Sequence, residues 1–186
     1  MIVSRQIVAL ILAAFMLVRC DPAPPAEPPK PQEISETSIG HFCGMSLPEH
    51  PGPKGQIFVG DRPEPIWFAS VRETFAFTML PEEPKNVAAI YVSDMGKATN
   101  WDKPAPGSWI DAKRAYYVIG SRRHGGMEAD EAVPFGEAAQ AARFAAENGG
   151  RVVRFDEMPE DFILPQSDPG ATDSPAVSDR AETRKP

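Results

Sequence analysis

The stretch VPFGEAAQAARFAAENGGRVVRFDEM, residues 133–158, decides the fold. Its first part, residues 133–150, predicts a helix, because alanines and Phe144 recur on one face and two glycines stop the helix at its end. The apolar run that follows predicts a strand that ends in acidic residues and a methionine. The order along this stretch is therefore a proline-aromatic entry, a helix, a strand and an acid-methionine end.

The same order occurs earlier in the chain. Residues 55–60 read as a strand, residues 65–80 as an aromatic entry followed by a short amphipathic helix, and residues 86–95 as a strand ending in Asp94 and Met95. A strand over residues 112–120 opens the second half. The sequence therefore predicts an α+β fold with mostly antiparallel sheet and an internal repeat, although the halves have diverged too far for the pattern alone to prove a duplication.

The amino terminus, residues 1–19, has the layout of a secretory signal peptide. The apolar run over residues 7–18 is too short to span a bilayer, because a spanning helix takes about 20 residues. Cys20 follows this run and resembles the lipidated cysteine of a bacterial lipobox, although Arg19 stands where that pattern has a small residue. We therefore expect a lipid anchor at Cys20, and the alternative is an ordinary cleaved signal.

The segments that flank the predicted domain have compositions that do not favour a packed core. Residues 20–36 are rich in proline and predict an extended, semi-rigid linker. Residues 164–186 are polar and lack aromatic side chains, so we expect a disordered tail. The folded domain is then residues 37–163, with two halves at about residues 37–98 and 109–160.

The charge of the chain excludes one class of partner. There are 19 Lys and Arg residues against 26 Asp and Glu residues, which gives a formal net charge of −7. General binding to nucleic acid needs clustered positive charge, so no nucleic-acid partner is expected.

The run HFCGMS, residues 41–46, holds the first candidate for chemistry. If Cys20 is lipidated or removed, Cys43 has no partner in the chain, and an unpaired thiol in an oxidising compartment is open to oxidation. Met45 lies one glycine away, so a tight bend would turn both sulfur side chains toward one centre. Thiolate and thioether are soft ligands that select Cu(I), whereas zinc rarely takes a thioether.

A second candidate lies in the run RRHGGMEADEAVPF, residues 122–135. Met127 follows two glycines and has no apolar neighbours in sequence, which makes it a plausible second thioether. His124 in the same run and His41 beside Cys43 are candidate nitrogen donors. His50 lies in the loop after Cys43, but a lone histidine is most often a surface residue. Met95 and Met158 follow acids at strand ends and are assigned to packing.

Other readings of Cys43 stay open at this point. The thiol is either a ligand, a buried inert side chain in a scaffold lipoprotein, or a nucleophile paired with His41 or His124. The chain holds no Cys-x-x-Cys, no phosphate-binding loop, no Gly-x-Ser-x-Gly elbow and no His-Glu-x-x-His motif.

Taken together, several stretches resemble the NosL family of nitrous-oxide reductase accessory lipoproteins. They are the lipoprotein-like start, FCGM followed by GPKGQIFV, then AIYVSD, GGM and VPFGEAAQAARFAAENGG…VVRFDEMP. The resemblance covers about residues 34–159, nearly all of the predicted domain.

This resemblance implies a periplasmic, lipid-anchored Cu(I)-binding chaperone for denitrification, and not an enzyme. The expected partners are the nitrous-oxide reductase apoprotein, whose multicopper centre would receive the metal, and an ABC-type maturation complex. The implied fold has two similar ββαβ units and is related to part of organomercurial lyase, which suggests a thiol-dependent enzyme as the alternative. The residues that match the family pattern as sulfur ligands are Cys43, Met45 and Met127.

Overall fold

The structure is a computed structural model that describes residues 27–60 and 62–164. The predicted signal peptide, Cys20 and the predicted tail from residue 165 onward lie outside the described residues. The strands and helices are β1 Gly55–Val59, β2 Ile66–Phe68, α1 Val71–Met79, β3 Val87–Ser93, β4 Trp109–Asp111, β5 Tyr116–Ile119, β6 Val133–Phe135, α2 Ala138–Asn148, β7 Arg151–Arg154 and α3 Glu160–Ile163. No helix in this part of the chain has the length and apolar character needed to cross a membrane.

The strands form two antiparallel sheets with matching topology. The first sheet has the strand order β2-β1-β3-β4, and the second has the order β6-β5-β7. In each unit the first strand lies between the second and the last, and a helix connects the second strand to the last. The units β1-β2-α1-β3 and β5-β6-α2-β7 confirm the α+β class with two similar ββαβ units.

The proline-aromatic entries are strands rather than the first turns of helices. Residues 133–135, which the sequence assigns to a helix over 133–150, are buried and pair with β5, so α2 begins only at Ala138. Pro134 is tolerated because β6 is an edge strand of its sheet, where a missing N–H group removes no essential ladder bond. β4 also differs from expectation: the boundary at residue 109 assigns it to the second unit, but it pairs with β3.

A shared hydrophobic core joins the two units. Phe75 and Phe77 of α1 pack in one cluster with Tyr117 of β5 and Val153 of β7. Tyr117 is fully buried, and its hydroxyl donates to the carbonyl of Ala112 at 2.6 Å. The position of one unit relative to the other is therefore set by packing rather than by the connecting loop alone. Met95 and Met158 are both 8% exposed and belong to the cores, where the sequence assigns them.

Part of the proline-rich segment is attached to the first sheet. The Gln32 backbone N–H and carbonyl both bond to the Gln56 side chain, at 2.8 and 2.9 Å. The Tyr91 hydroxyl donates to the carbonyl of Pro29 at 2.7 Å, and Glu33 accepts from the backbone of Gly107. The chain therefore reaches the domain before residue 37 and enters the Cys43 region along a fixed path.

Candidate metal centre

The turn that carries Cys43 and Met45 is closed by its own backbone. The Gly40 N–H donates to the carbonyl of Met45 at 2.9 Å, and the Gly44 N–H donates to the carbonyl of Gly40 at 2.9 Å. Gly44 has a φ of +65°, which glycine adopts without the clash that a Cβ brings. The glycine of Cys-x-Met is therefore the residue that bends the chain, so that the cysteine and the methionine flank one turn.

Gly40 leaves room for the thiol of Cys43. A Cβ on Gly40 would lie 2.5 Å from the Cys43 Sγ, and 3.6 Å from both Leu47 Cδ1 and Ala69 Cβ. The thiol thus sits over bare backbone, next to apolar side chains. Cys43 is free and half-buried, whereas Met45 is 41% exposed. The thioether of this turn can therefore be reached from solvent.

The surface around this turn is apolar. Ile39 and Phe42 are 48% and 42% exposed, and with Met45 they are three of the four exposed large apolar side chains among the described residues. Exposed apolar side chains that cluster on a soluble domain often mark a place of contact with another molecule. Here they flank Cys43 along the chain.

His41 and His124 each lie beside a carboxylate. The His41 Nε2 lies 3.0 Å from Glu83 Oε1, and its ring packs edge-on against Phe42, Phe68 and Phe77. The His124 Nδ1 lies 3.7 Å from Asp130 Oδ1, where the two residues also form a β-bridge. In each imidazole, one ring nitrogen therefore points to a carboxylate and, among the described residues, the other ring nitrogen has no carboxylate beside it.

Met127 occupies the middle of a short 3-10 turn, Gly126–Glu128, in the connection between β5 and β6. The Gly125 N–H donates to the carbonyl of Ala129 at 2.9 Å, which closes the loop across this turn. The Met127 side chain lies outside the described part of the structure, so only its backbone is placed.

The Met127 turn lies against the segment that follows the Cys43 turn. A Cβ on Gly52 would be 3.4 Å from the Gly125 Cα, and a Cβ on Gly126 would be 3.3 Å from the His50 Cβ. Sequence reasoning underrates His50: its Nε2 is buried and has no hydrogen-bond partner, unlike a typical surface histidine. The only signal in the sequence is its place in the loop after Cys43, and the contact with Gly126 arises from tertiary packing.

The start of α1 is where the two candidate loops approach each other. Ala69, near the Cys43 thiol, precedes Ser70, the residue that caps α1 by accepting from the Glu73 N–H at 3.1 Å. From the other side, Gly126 helps to line a cavity of about 200 Å³ together with Ser70 and Glu73. The structure therefore brings the backbone that carries Cys43 and Met45 and the backbone that carries Met127 to the same helix end.

Buried ionisable side chains lie close to these loops. Lys54 is 2% exposed and donates through Nζ to the carbonyls of Pro51 and Gly52, which holds the segment after His50. Burial lowers the pKa of Lys54 to about 8, against the attraction of nearby Glu131 and Glu73. Burial likewise raises the pKa of Glu131 to about 8 and raises the pKa of Glu73.

The chemistry available here is that of soft donors. Within residues 27–60 and 62–164, no group of three or more His, Cys, Asp and Glu side chains is arranged to hold a metal ion. The candidate donors are instead one thiol and two thioethers, a set that favours a soft monovalent cation such as Cu(I).

Comparison with known proteins places the chain in a family. A sequence profile of the NosL family matches residues 31–163. The chain is 40% identical to the copper-binding lipoprotein NosL of Achromobacter cycloclastes over 169 residues, which cover 90% of this chain and 88% of that protein. It is 36% identical to the copper-binding lipoprotein NosL of Stutzerimonas stutzeri over 154 residues, which cover 82% of this chain and 79% of that protein.

The fold points to the same family. The crystal structure of the copper chaperone NosL from Shewanella denitrificans matches with a TM-score of 0.67 at 34% identity, covering 72% of this chain and 98% of that one. The names of these relatives describe metal binding and delivery rather than catalysis. From the matched profile, the identities over most of the length and the shared fold, the chain belongs to the NosL family.

Proposed function

We propose that this protein is a copper chaperone that binds Cu(I) through Cys43, Met45 and Met127 and passes it to a partner protein. The observation that carries the proposal is the glycine turn that holds a free thiol and an exposed thioether side by side, in a chain whose relatives are named as copper-binding lipoproteins and a copper chaperone. Thiolate and thioether together favour Cu(I) over harder cations, so the donor set supports this oxidation state.

The transfer step follows from the chemistry of these donors. Only Cys43 has to lose a proton to bind the metal, so affinity falls as the pH falls. Thioethers are neutral and weak donors, so Met45 and Met127 can be displaced one at a time by ligands of the partner. The exposure of Met45 supports entry of an incoming ligand from the solvent side before the thiolate leaves.

His41 and His124 remain candidate nitrogen donors in this proposal. A histidine that binds a metal usually donates its other ring N–H to a carboxylate, and Glu83 lies within hydrogen-bond distance of His41. Asp130 lies beside His124, but at 3.7 Å it is beyond hydrogen-bond distance. Replacing each histidine by glutamine, with Cu(I) affinity as the measurement, decides whether either one contributes.

The proposed partners are the nitrous-oxide reductase apoprotein and an ABC-type maturation complex, and the proposed location is the periplasmic face of a bacterial membrane, reached through lipidated Cys20. The family supports these assignments, and the net charge of −7 supports docking on a partner surface of opposite charge. Transfer of copper from the loaded chaperone to apo nitrous-oxide reductase tests the partner. Release of a Cys20→Ala variant from the membrane fraction tests the anchor.

Competition for Cu(I) against a chromophoric chelator tests the ligands. We expect Cys43→Ser to weaken Cu(I) binding the most, by more than about 100-fold. Met45→Leu and Met127→Leu should each weaken it by at least about tenfold, which corresponds to about 1.4 kcal/mol. Met95→Leu is the matched control, because it makes the same replacement in the core and should leave affinity unchanged. If Cys43→Ser binds Cu(I) as tightly as the parent, the assignment of the centre is wrong.

A further inference from the structure

Glu131 belongs to the second unit, yet its side chain caps the helix of the first. The Glu131 Oε1 accepts hydrogen bonds from the backbone N–H groups of Val71 at 3.1 Å, Arg72 at 3.0 Å and Ala132 at 2.9 Å. The first N–H groups of a helix have no partner within the helix, so an acceptor from outside satisfies them. Glu131 is 2% exposed and plays no part in the metal binding described above.

The second carboxyl oxygen of Glu131 faces the Met127 turn. The Oε2 atom is buried without a hydrogen-bond partner, and a Cβ on Gly125 would lie 2.5 Å from it. Only a glycine at position 125 lets the backbone approach the carboxyl this closely. The Glu131 carboxyl therefore lies between the start of α1 and the base of the loop that carries Met127.

Burying the Glu131 carboxyl at this place costs desolvation free energy. An apolar side chain would fill the same space without that desolvation cost. Desolvation raises the pKa of Glu131 against the opposing effect of the Arg72 and Ala132 N–H groups and of Lys54. An apolar side chain would leave the Val71 and Arg72 N–H groups unsatisfied and would fix no distance, because apolar contact has no direction. The two hydrogen bonds from Val71 and Arg72 to one carboxyl oxygen fix the separation between the two units at this point, and the bond from Ala132 holds that oxygen in place.

The start of α1 also adjoins the Cys43 turn, through Ala69. We propose that Glu131 is a positioning residue for the copper centre: it ties the Met127 loop to the start of α1, so that Met127 reaches the metal held by Cys43 and Met45. This inference rests on the proposed function, since it takes Met127 to be a ligand. Glu131 acts through Met127 and does not itself touch the metal.

A double-mutant cycle on Cu(I) affinity tests this inference. Glu131→Asp shortens the side chain by one methylene group, which withdraws the acceptor from Val71 and Arg72, and we expect Cu(I) affinity to fall about 10- to 100-fold, the range seen for residues that orient ligands. In a Met127→Leu background the same change should alter affinity by no more than about twofold, because the ligand that Glu131 positions is already absent.

Two further variants separate positioning from loss of stability. Glu131→Gln keeps an oxygen at the Oε1 position and the same length, so we expect it to bind Cu(I) almost as tightly as the parent. Ser70→Ala removes the cap that α1 receives from its own segment, without touching the Glu131 link. It should lower Tm by about 4 °C and leave Cu(I) affinity unchanged.

A measurement on the copper-free parent protein keeps the inference testable if Glu131→Asp does not fold. The amides of Val71 and Arg72 and those of residues 125–129 should exchange with solvent as one cooperative unit, and Cu(I) should slow both sets together. The proposal would be overturned if the opening equilibria of the two sets of amides differed by more than about tenfold and if Cu(I) slowed the exchange of one set without the other.

The outcomes also distinguish this inference from the proposed function. If Met127→Leu leaves Cu(I) affinity unchanged, the ligand assignment fails and the role of Glu131 fails with it. If Met127→Leu weakens binding while a folded Glu131→Asp variant does not, only the role of Glu131 is wrong. An equal effect of Glu131→Asp in both backgrounds would likewise contradict it, because Glu131 would then not act through Met127.

Discussion

The helices α1 and α2 occupy matching places in the two ββαβ units, but they are held in different ways. In α1 four residues are buried, Val71, Thr74, Phe75 and Phe77, whereas in α2 only Ala141 is buried. The start of α1 is capped by a side chain of its own segment, and the start of α2 at Glu137 has no side-chain cap. Repeated topology therefore does not produce repeated burial, and the candidate centre adjoins the helix that is buried and capped.

The loops of the two units differ in the same sense. The β1–β2 connection, residues 60–65, is short, while the corresponding β5–β6 connection, residues 120–132, is long enough to include the Met127 turn and Glu131. The extra chain in the second unit crosses to the first unit, where it meets α1 and His50. In this protein the repeat supplies a scaffold, and one extended loop supplies the asymmetry that a binding site needs.

The largest test of this contrast is a pair of core truncations. Phe75 of α1 is 2% exposed and packs against Tyr117 and Phe155 at 5.0 and 4.9 Å between ring centroids, so Phe75→Ala should lower the free energy of unfolding by about 3–5 kcal/mol. Phe144 of α2 is only half-buried, and Phe144→Ala should cost less than about 2 kcal/mol. Urea denaturation measures both, and equal losses would contradict the difference in burial.

The pH dependence of stability gives a second test of the contrast between the two units, because burial raises the pKa of the Glu131 carboxyl that joins them. In the folded state the pKa of Glu131 is raised from 4.5 to about 8, so between these values the folded chain holds a proton that the unfolded chain has released. Stability should therefore fall as the pH rises from about 5 to 8, by at most about 1.4 kcal/mol per pH unit for this one group.

Lys54 acts in the opposite direction at higher pH. Its pKa falls from 10.5 to about 8 on folding, so above pH 8 the unfolded chain holds the extra proton and stability rises with pH. Thermal unfolding of the copper-free protein across pH 5–10 should show a minimum near pH 8. The Glu131→Gln variant should lose the descending limb, whereas Glu137→Gln at the exposed start of α2 should keep it. A parent curve that rises steadily from pH 5 to 8 would contradict this assignment.

The smallest test exchanges the helix caps of the two units. Ser70→Ala removes the side-chain cap of α1 and should cost about 1 kcal/mol. Glu137→Ser adds a cap at α2, where none is present, and should stabilise the protein by about 0.5 kcal/mol. Both are measured as shifts of the urea midpoint at constant slope. A loss of stability on Glu137→Ser would mean that the start of α2 is already satisfied in another way.

Much of the fold can be predicted from local patterns in the sequence. The apolar runs that become β1, β3 and β7 and the alanine-rich face of α2 are periodic features that residues impose on their immediate neighbours. The short strands β2 and β6 are harder to recognise, because each has only three residues directly before a helix and becomes a strand only by pairing with the strand before it. β4 escapes notice for the same reason, since Trp109–Asp111 becomes a strand only beside β3.

The candidate centre is predictable only in part. Cys43, Met45 and Met127 can be singled out as candidates from the sequence because their types and settings are unusual: the one cysteine of the predicted domain, a glycine between two sulfur residues and a methionine among polar neighbours. His50 cannot be chosen in this way, because its buried Nε2 and its contact with Gly126 arise only when the chain folds. Glu131 reads as one acid among many, since its hydrogen-bond partner Val71 lies 60 residues away.

The sequence by itself determined the repeated order of strands and helices, and it also predicted an exported chain and singled out candidate soft sulfur donors. These follow from hydrophobic period, from turn residues and from side-chain chemistry, all of which act locally. Tertiary structure alone decided which helix is buried, which loops meet at its start and which carboxyl joins the two units. Those choices depend on satisfying buried N–H groups and on filling one shared core, and both require residues that only folding brings together.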